Sequence, residues 1–338
     1  MAVAVPQPVR RTVDRLLRPE WLLLGLAAVP FALGLSVPPW AEYLPLLVSV
    51  LVLGLPHGAV DHLVLARLGT GISVRRSVVA VSALYAVLGG LYLLAWFVAP
   101  VAAFTFFILL TWAHWGQGDL YCLHVLSEGA YPTTPLHRLL TVAVRGALPM
   151  LVPLVAFPDA YQRVVAITVE LFGTDASSVA WAFSADARLG VAVGFAAIVV
   201  ASLVLGARSP DTTTWKRDGV EIALLTGFFA LVPPILAIGL YFCLWHSLRH
   251  VVRVVGLDET AVASLARDDL VGAFRRFARD ALPTTAAAIA IMAGIAIAVP
   301  RTPAGLDGAL AVYLVLLAVL TLPHVVVVSV LDRQQGVW

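Results

Sequence analysis

Nine predominantly apolar runs, at 21–37, 45–66, 77–98, 101–124, 139–157, 188–206, 219–254, 281–299 and 306–331, constrain this 338-residue chain more than any other feature. A hydrocarbon core of ~30 Å takes ~20 helical residues to cross, and within it every backbone N–H and C=O must be satisfied inside the segment. The chain therefore reads as an all-α, polytopic transmembrane helical bundle, with residues 1–338 forming a single integral membrane domain. Its 61% hydrophobic and 12% charged residues set it apart from soluble domains, in which about a quarter of residues are charged. The run 219–254 contains Val232-Pro233-Pro234-Ile235, where missing N–H groups interrupt a helix. It is one bent span or two, and the expected total is about 8–10 spans.

Basic residues mark the cytoplasmic side of such a bundle. Arg67, Arg75 and Arg76 follow the second run, Arg138 the fourth, and Arg208, Lys216 and Arg217 the sixth, while 38–44 and 99–100 carry no Arg or Lys. Residues 1–19, with Arg10, Arg11, Arg15 and Arg18, are accordingly expected in the cytoplasm, at the N-terminus of a multi-pass cell-membrane protein. The following run, 21–37, is longer than a signal-peptide core and lacks a small-x-small cleavage site, so it is taken as the first span. Segment 159–187 reads as a loop with an interfacial helix at 160–172. Segment 255–280, with Arg267, Arg275, Arg276 and Arg279, reads as an amphipathic loop; it breaks the alternation if 219–254 crosses only once. The net charge of +2 comes from these short loops and gives no support to nucleic-acid binding. Cys122 and Cys243 lie in apolar runs without a CxxC and are read as buried, inert thiols.

Histidines inside apolar runs demand a use, because ionisable groups at membrane depth are costly and mark functional sites. Six lie within runs: His57, His62, His114, His246, His250 and His324. His246 and His250 are four residues apart, so on a helix they share one face with Cβ atoms about 5–6 Å apart, a two-ligand clip for a metal. His57, after Pro56 and between Gly54 and Gly58, and His114, between Trp112 and Trp115, are the candidates for the remaining ligands. Asp61 and Asp119 follow His57 and His114 by four and five residues and are candidates to orient ligand imidazoles by accepting their second N–H. His62 points away from Asp61 and reads as a hydrogen-bonding partner between helices. Leu55-Pro56-His57 is echoed by Leu322-Pro323-His324, a faint hint of duplication. Imidazole suits Fe, Zn, Cu and Ni alike, so residue type defines a nitrogen site without naming its metal. Trp112, Trp115, Tyr241 and Trp245 beside these histidines offer flat, rigid walls suited to a long conjugated hydrocarbon.

Four ordered motifs carry a resemblance: Leu55-Pro56-His57-Gly58-Ala59-Val60-Asp61-His62, then His114-Trp115-Gly116, then His246-Ser247-Leu248-Arg249-His250, then Leu322-Pro323-His324. Together they resemble the Brp and Blh family of prokaryotic membrane β-carotene 15,15′-dioxygenases, over residues 45 to 332. The resemblance implies Fe(II) held by His57, His114, His246 and His250, and the use of O2 to cleave the central double bond of β-carotene into two molecules of all-trans-retinal. It also implies a microbial rhodopsin as the acceptor of that retinal, with β-carotene reaching the site from the lipid bilayer. Four neutral imidazoles leave an Fe(II) site with net positive charge and at least one open position, so Arg249 and Arg253 are expected to face away from it. Asp61, His62, Asp119 and His324 are then candidates for the layer around the ligands. No general acid or base is required, in keeping with the absence of a Ser-His-Asp or paired-carboxylate arrangement.

Two other readings compete. A membrane di-iron oxygenase needs about eight histidines in HxxxH and HxxHH boxes, and the sequence has no HxxHH. A transporter or ion- and proton-handling protein also uses Pro-broken helices and buried His and Asp; it implies exchangeable metal and no loss of carotenoid.

Overall fold

A computed structural model describes residues 5–69 and 71–338; residues 1–4 of the expected N-terminal segment lie outside these. Every extended element is helical: α1 (Gln7–Ala32), α2 (Pro39–Arg67), α3 (Val74–Val98), α4 (Pro100–Leu126), α5 (Pro135–Ala156), α6 (Pro158–Glu170), α7 (Ala185–Gly206), α8 (Thr212–Leu231), α9 (Pro234–Val255), α10 (Glu259–Ala266), α11 (Leu270–Ala298) and α12 (Gly305–Gln334). Among the described residues, α2, α3, α5, α7, α9, α11 and α12 are long and apolar enough to cross a membrane. Helices α1, α4 and α8 run beside them between the same two ends.

Those ends are told apart by their ion pairs. At one, Arg15 meets Asp268 at 2.6 Å, Arg217 meets Asp14 at 3.1 Å, Arg10 meets Glu128, and Arg67 meets Asp258 at 2.7 Å and Asp280 at 2.5 Å. There too Arg138 donates to the Val337 carbonyl at 3.2 Å, so both the start of α1 and the end of α12 lie at this basic end. At the other, Arg163 meets Asp307 at 2.6 Å, and the Arg301 N–H donates to the Leu171 carbonyl at 3.1 Å.

The prolines explain the one departure from charge alternation. Run 219–254 breaks at Val232-Pro233: α8 ends at Leu231 and α9 starts at Pro234, whose fixed φ suits a first helical turn. The chain turns back there, so 255–280 returns to the basic end with its arginines. That segment contains α10, and the expected span at 281–299 starts earlier, at Leu270, so that Arg275, Arg276 and Arg279 lie on the first turns of α11. Likewise α1 begins at Gln7 and carries the N-terminal arginines on helix, and α6 overlaps the helix expected at 160–172.

Exposed apolar side chains such as Leu26, Leu94, Val193 and Ile297 cover the outer faces of the bundle. On a soluble protein such patches are an association hazard; here Leu94, Val193 and Ile297 sit on helices long and apolar enough to cross a membrane. Inside, small residues set the closest approach. A Cβ on Gly146 would lie 1.8 Å from the Trp112 carbonyl oxygen, and one on Gly116 would lie 2.1 Å from that of Val142, so α4 and α5 cross in backbone contact.

Candidate metal centre

Two of the clustered histidines lie where regular helix gives way, while His114, His250 and His324 lie on regular helix. In α2 the helix stops at Leu51, Leu53 takes φ +62°, and a single 3-10 turn, Leu55–Gly58, follows; Pro56 has no N–H to continue the α-helical ladder. That turn carries His57. In α9 a π-helical turn, Phe242–Ser247, carries His246, and regular helix resumes at Leu248 before His250. A second π turn, Tyr85–Gly89, interrupts α3 opposite Asp61. π turns are rare and gather at functional sites.

Five imidazoles meet in the interior: His57, His114, His246, His250 and His324, all buried. Ring centroids separate His57 from His246 by 5.3 Å and from His250 by 5.5 Å, and His114 from His246 by 4.8 Å. The Nε2 atoms of His114 and His246 face each other at 3.2 Å. Candidate donor atoms of His57, His114 and His246 lie within 4.8 Å of one another, and so do those of Asp61, His250 and His324. His57 Nδ1 donates to the Gly54 carbonyl, which assigns its proton and leaves Nε2 as the donor to a metal. Nε2 of His250 and Nε2 of His324 are buried with no hydrogen-bond partner. Burying an imidazole nitrogen in an apolar interior without a partner is costly, and a metal ion satisfies such lone pairs.

The surrounding groups differ from their expected roles in informative ways. Asp61 does not touch His57; its Oδ2 accepts from His324 Nδ1 at 2.7 Å and from the Tyr85 hydroxyl at 2.6 Å. Asp119 does not meet His114. It accepts from Trp245 Nε1 at 3.0 Å and lies 3.3 Å from Arg145 and 3.4 Å from Arg249. His62 is outside the cluster, with Nδ1 3.0 Å from the Ala59 carbonyl, while Ser77 donates to the His62 carbonyl at 2.7 Å, tying α2 to α3.

Asp119 belongs to a buried ionic network that the sequence reading missed. Arg145, fully buried, reaches Asp218 at 2.7 Å and Glu221 at 2.6 Å; Arg249 reaches Glu20 at 2.8 Å and Glu221 at 3.0 Å. The Arg249 guanidinium also stacks 3.6 Å over Trp245. Arg253 pairs with Asp332 at 2.6 Å, so both arginines of the His246–His250 helix point away from the histidines. The network clamps α9, with His246 and His250, to α1, α4, α5 and α8. Its available signal was the presence of charges such as Arg145 and Glu221 inside apolar runs, where each needs a partner.

Two apolar cavities flank the histidines. One, of about 480 Å³, is lined by His57, Asp61, Tyr85, Leu93, Thr284 and His324 among others, and reaches the outer surface between α3 and α11 at Ala86, Gly90 and Ile291. The second, of about 110 Å³, is lined by Phe104, Phe107, Trp115, Met150 and Phe242. Of the expected wall residues, Trp115 lines this second cavity and packs 5.6 Å from His246, ring to ring. Tyr241 and Trp245 stand behind it, stacked with centroids 6.2 Å apart, and Trp112 donates to the Ala143 carbonyl at 2.7 Å; none of these three lines either cavity.

Fold and site together define a class: a polytopic helical membrane protein with a buried all-histidine cluster, beside an apolar cavity open to the side of the bundle. Comparison with known proteins narrows it. The family model described as beta-carotene 15,15′-dioxygenase matches residues 48–332. The chain is 46% identical over 330 residues to the probable beta-carotene 15,15′-dioxygenase Blh of Halobacterium salinarum, covering 97% of this chain and 95% of that protein. It is 31% identical over 334 residues to the probable beta-carotene 15,15′-dioxygenase Brp of the same organism, covering 94% and 91%. No solved structure matches it. The chain belongs to the β-carotene 15,15′-dioxygenase family.

Proposed function

We propose that this protein cleaves β-carotene at its central 15,15′ double bond, consuming one O2 and releasing two molecules of all-trans-retinal, with Fe(II) held by His57, His114, His246 and His250. The reaction balances without a reductant, since one oxygen atom ends on each aldehyde. The observation that carries the reading is the convergence of these four histidines, from three different helices, in one buried cluster beside an apolar cavity. The family relationship supplies the substrate.

Bound Fe(II) supplies the redox chemistry that lets O2 react with a polyene. The chain supplies position and dryness. The proton held by His57 Nδ1 at the Gly54 carbonyl keeps its ring in one tautomer and one orientation. The network around Asp119, Arg145 and Arg249 holds α9, and with it His246 and His250, against the neighbouring helices. The side opening between α3 and α11 admits an apolar rod directly from lipid, so no aqueous step is needed. With the basic end cytoplasmic, as positive residues favour, both termini lie in the cytoplasm of a multi-pass cell-membrane protein.

Expression in a bacterial host that accumulates β-carotene, with pigments resolved by HPLC, tests this beside a His250→Ala control at matched level. Retinal appearing and carotene falling only with the unmodified chain is the expected result. Carotene surviving alongside folded, iron-loaded protein contradicts it.

A further inference from the structure

The family resemblance supplies four ligands, but the structure places a fifth imidazole among them. The His324 ring lies 5.0 Å from that of His57, 4.8 Å from His114 and 5.0 Å from His250. The implied ligands are spaced alike: His114 is 4.8 Å from His246, and His57 is 5.3 Å from His246, 5.5 Å from His250 and 6.5 Å from His114. A residue of an outer layer would stand behind one ligand, bonded to its far nitrogen. His324 instead stands beside three of them.

Its two nitrogens have different fates. Nδ1 donates to Asp61 Oδ2 at 2.7 Å, fixing the proton there, and the same oxygen accepts from the Tyr85 hydroxyl at 2.6 Å. Nε2 is buried and has no partner. A carboxylate holding the far N–H of an imidazole is the usual arrangement behind a metal-bound histidine, where it fixes the tautomer and raises ligand basicity. Donor atoms of Asp61, His250 and His324 also fall within 4.8 Å of one another, so the arrangement shares space with an implied ligand. The backbone packs closely against it: a Cβ on Gly58 would lie 3.2 Å from His324 Nδ1 and would press on the ring.

We propose that His324 is a fifth imidazole donor to the metal and that Asp61, steadied by Tyr85, is its positioning residue. This rests on the four-histidine reading above and extends it. It also gives the Leu55-Pro56-His57 and Leu322-Pro323-His324 echo a physical meaning, since each proline-preceded histidine supplies one donor from one side of the cluster.

The test is metal affinity, measured on full-length detergent-purified protein with Co(II) as the probe, by competition against a chelator. His324→Gly is expected to weaken binding by more than the roughly 10–100-fold typical of losing an outer-layer partner, and millimolar imidazole is expected to restore it. Asp61→Asn, which keeps the shape but not the charge, is expected to fall within that range, and His124→Gln to bind as the unmodified chain does. Rescue by imidazole separates a ligand from a merely structural residue, and elution as a single folded species guards against misfolding. Unchanged Co(II) affinity in His324→Gly, with binding lost in His250→Ala, overturns the fifth donor and leaves the four-histidine site standing. Unchanged affinity in both variants overturns the four-histidine reading itself.

Discussion

Single residues in this molecule were legible by type and illegible by partner. Histidines at membrane depth were conspicuous because each is expensive there, and the structure brings His57, His114, His246 and His250 together with His324 in one cluster. The assignment of Asp61 to His57 and of Asp119 to His114 followed from spacing along one helix. Both carboxylates instead serve other helices: Asp61 serves His324, and Asp119 serves Trp245 and two arginines. Spacing gives the face on which a side chain stands, whereas its partner depends on which helix packs there. The ionic network is the sharpest example and makes a prediction. Arg145 is fully buried against Asp119, Asp218 and Glu221. Arg145→Met removes the cation and leaves buried carboxylates uncompensated, which costs about 3–5 kcal/mol where measured in other proteins. Thermal unfolding in detergent is expected to show the variant strongly destabilised, whereas a conservative change at exposed Arg301 is expected to leave it unaffected. Equal melting of the two would show that the network contributes little to stability.

At the scale of elements, long apolar runs located nearly every rod, and prolines located the interruption that mattered most. Val232-Pro233-Pro234 was recognisable as a break, but whether the chain bends or reverses there depends on what receives the next helix. The structure answers with a reversal, and the basic segment 255–280 joins the other basic loops through Arg15–Asp268 and Arg67–Asp280. The π turns at Tyr85–Gly89 and Phe242–Ser247 had no sequence signal, because one extra residue in a turn is stabilised by tertiary contacts and not by residue type. The reversal predicts topology. Cysteines placed at Asp268 and at Asp175 are expected to react with a membrane-impermeant thiol reagent from opposite sides, Asp268 from the side of the N-terminus. The native Cys122 and Cys243 are buried and should stay silent. Labelling of both positions from one side would contradict the placement of these two segments at opposite ends of the bundle.

For the whole molecule, the class was set by its apolar runs, and the family by four ordered motifs and then by full-length similarity. The cavities were not legible, since a void is defined by residues far apart in sequence; the larger one draws its walls from α2, α3, α11 and α12. Aromatic wall residues chosen by nearness to histidines were consequently a mixed set: Trp115 faces a cavity, while Tyr241 and Trp245 form the packed layer behind it. What joins the scales is a single arrangement, in which helix interruptions present His57 and His246 and regular helices present His114, His250 and His324 to one apolar interior, an ionic clamp holds α9 to its neighbours, and a cavity opens to the side of the bundle. The central claim is that this arrangement cuts one bond in the middle of a symmetrical polyene. Its most direct test is the ratio of retinal formed to β-carotene consumed by purified, iron-loaded protein under O2, with every product resolved by chromatography. Two retinals per carotene, with no longer or shorter aldehydes, is the predicted result. Carotene loss accompanied by aldehydes of unequal length, or by no retinal, would contradict it.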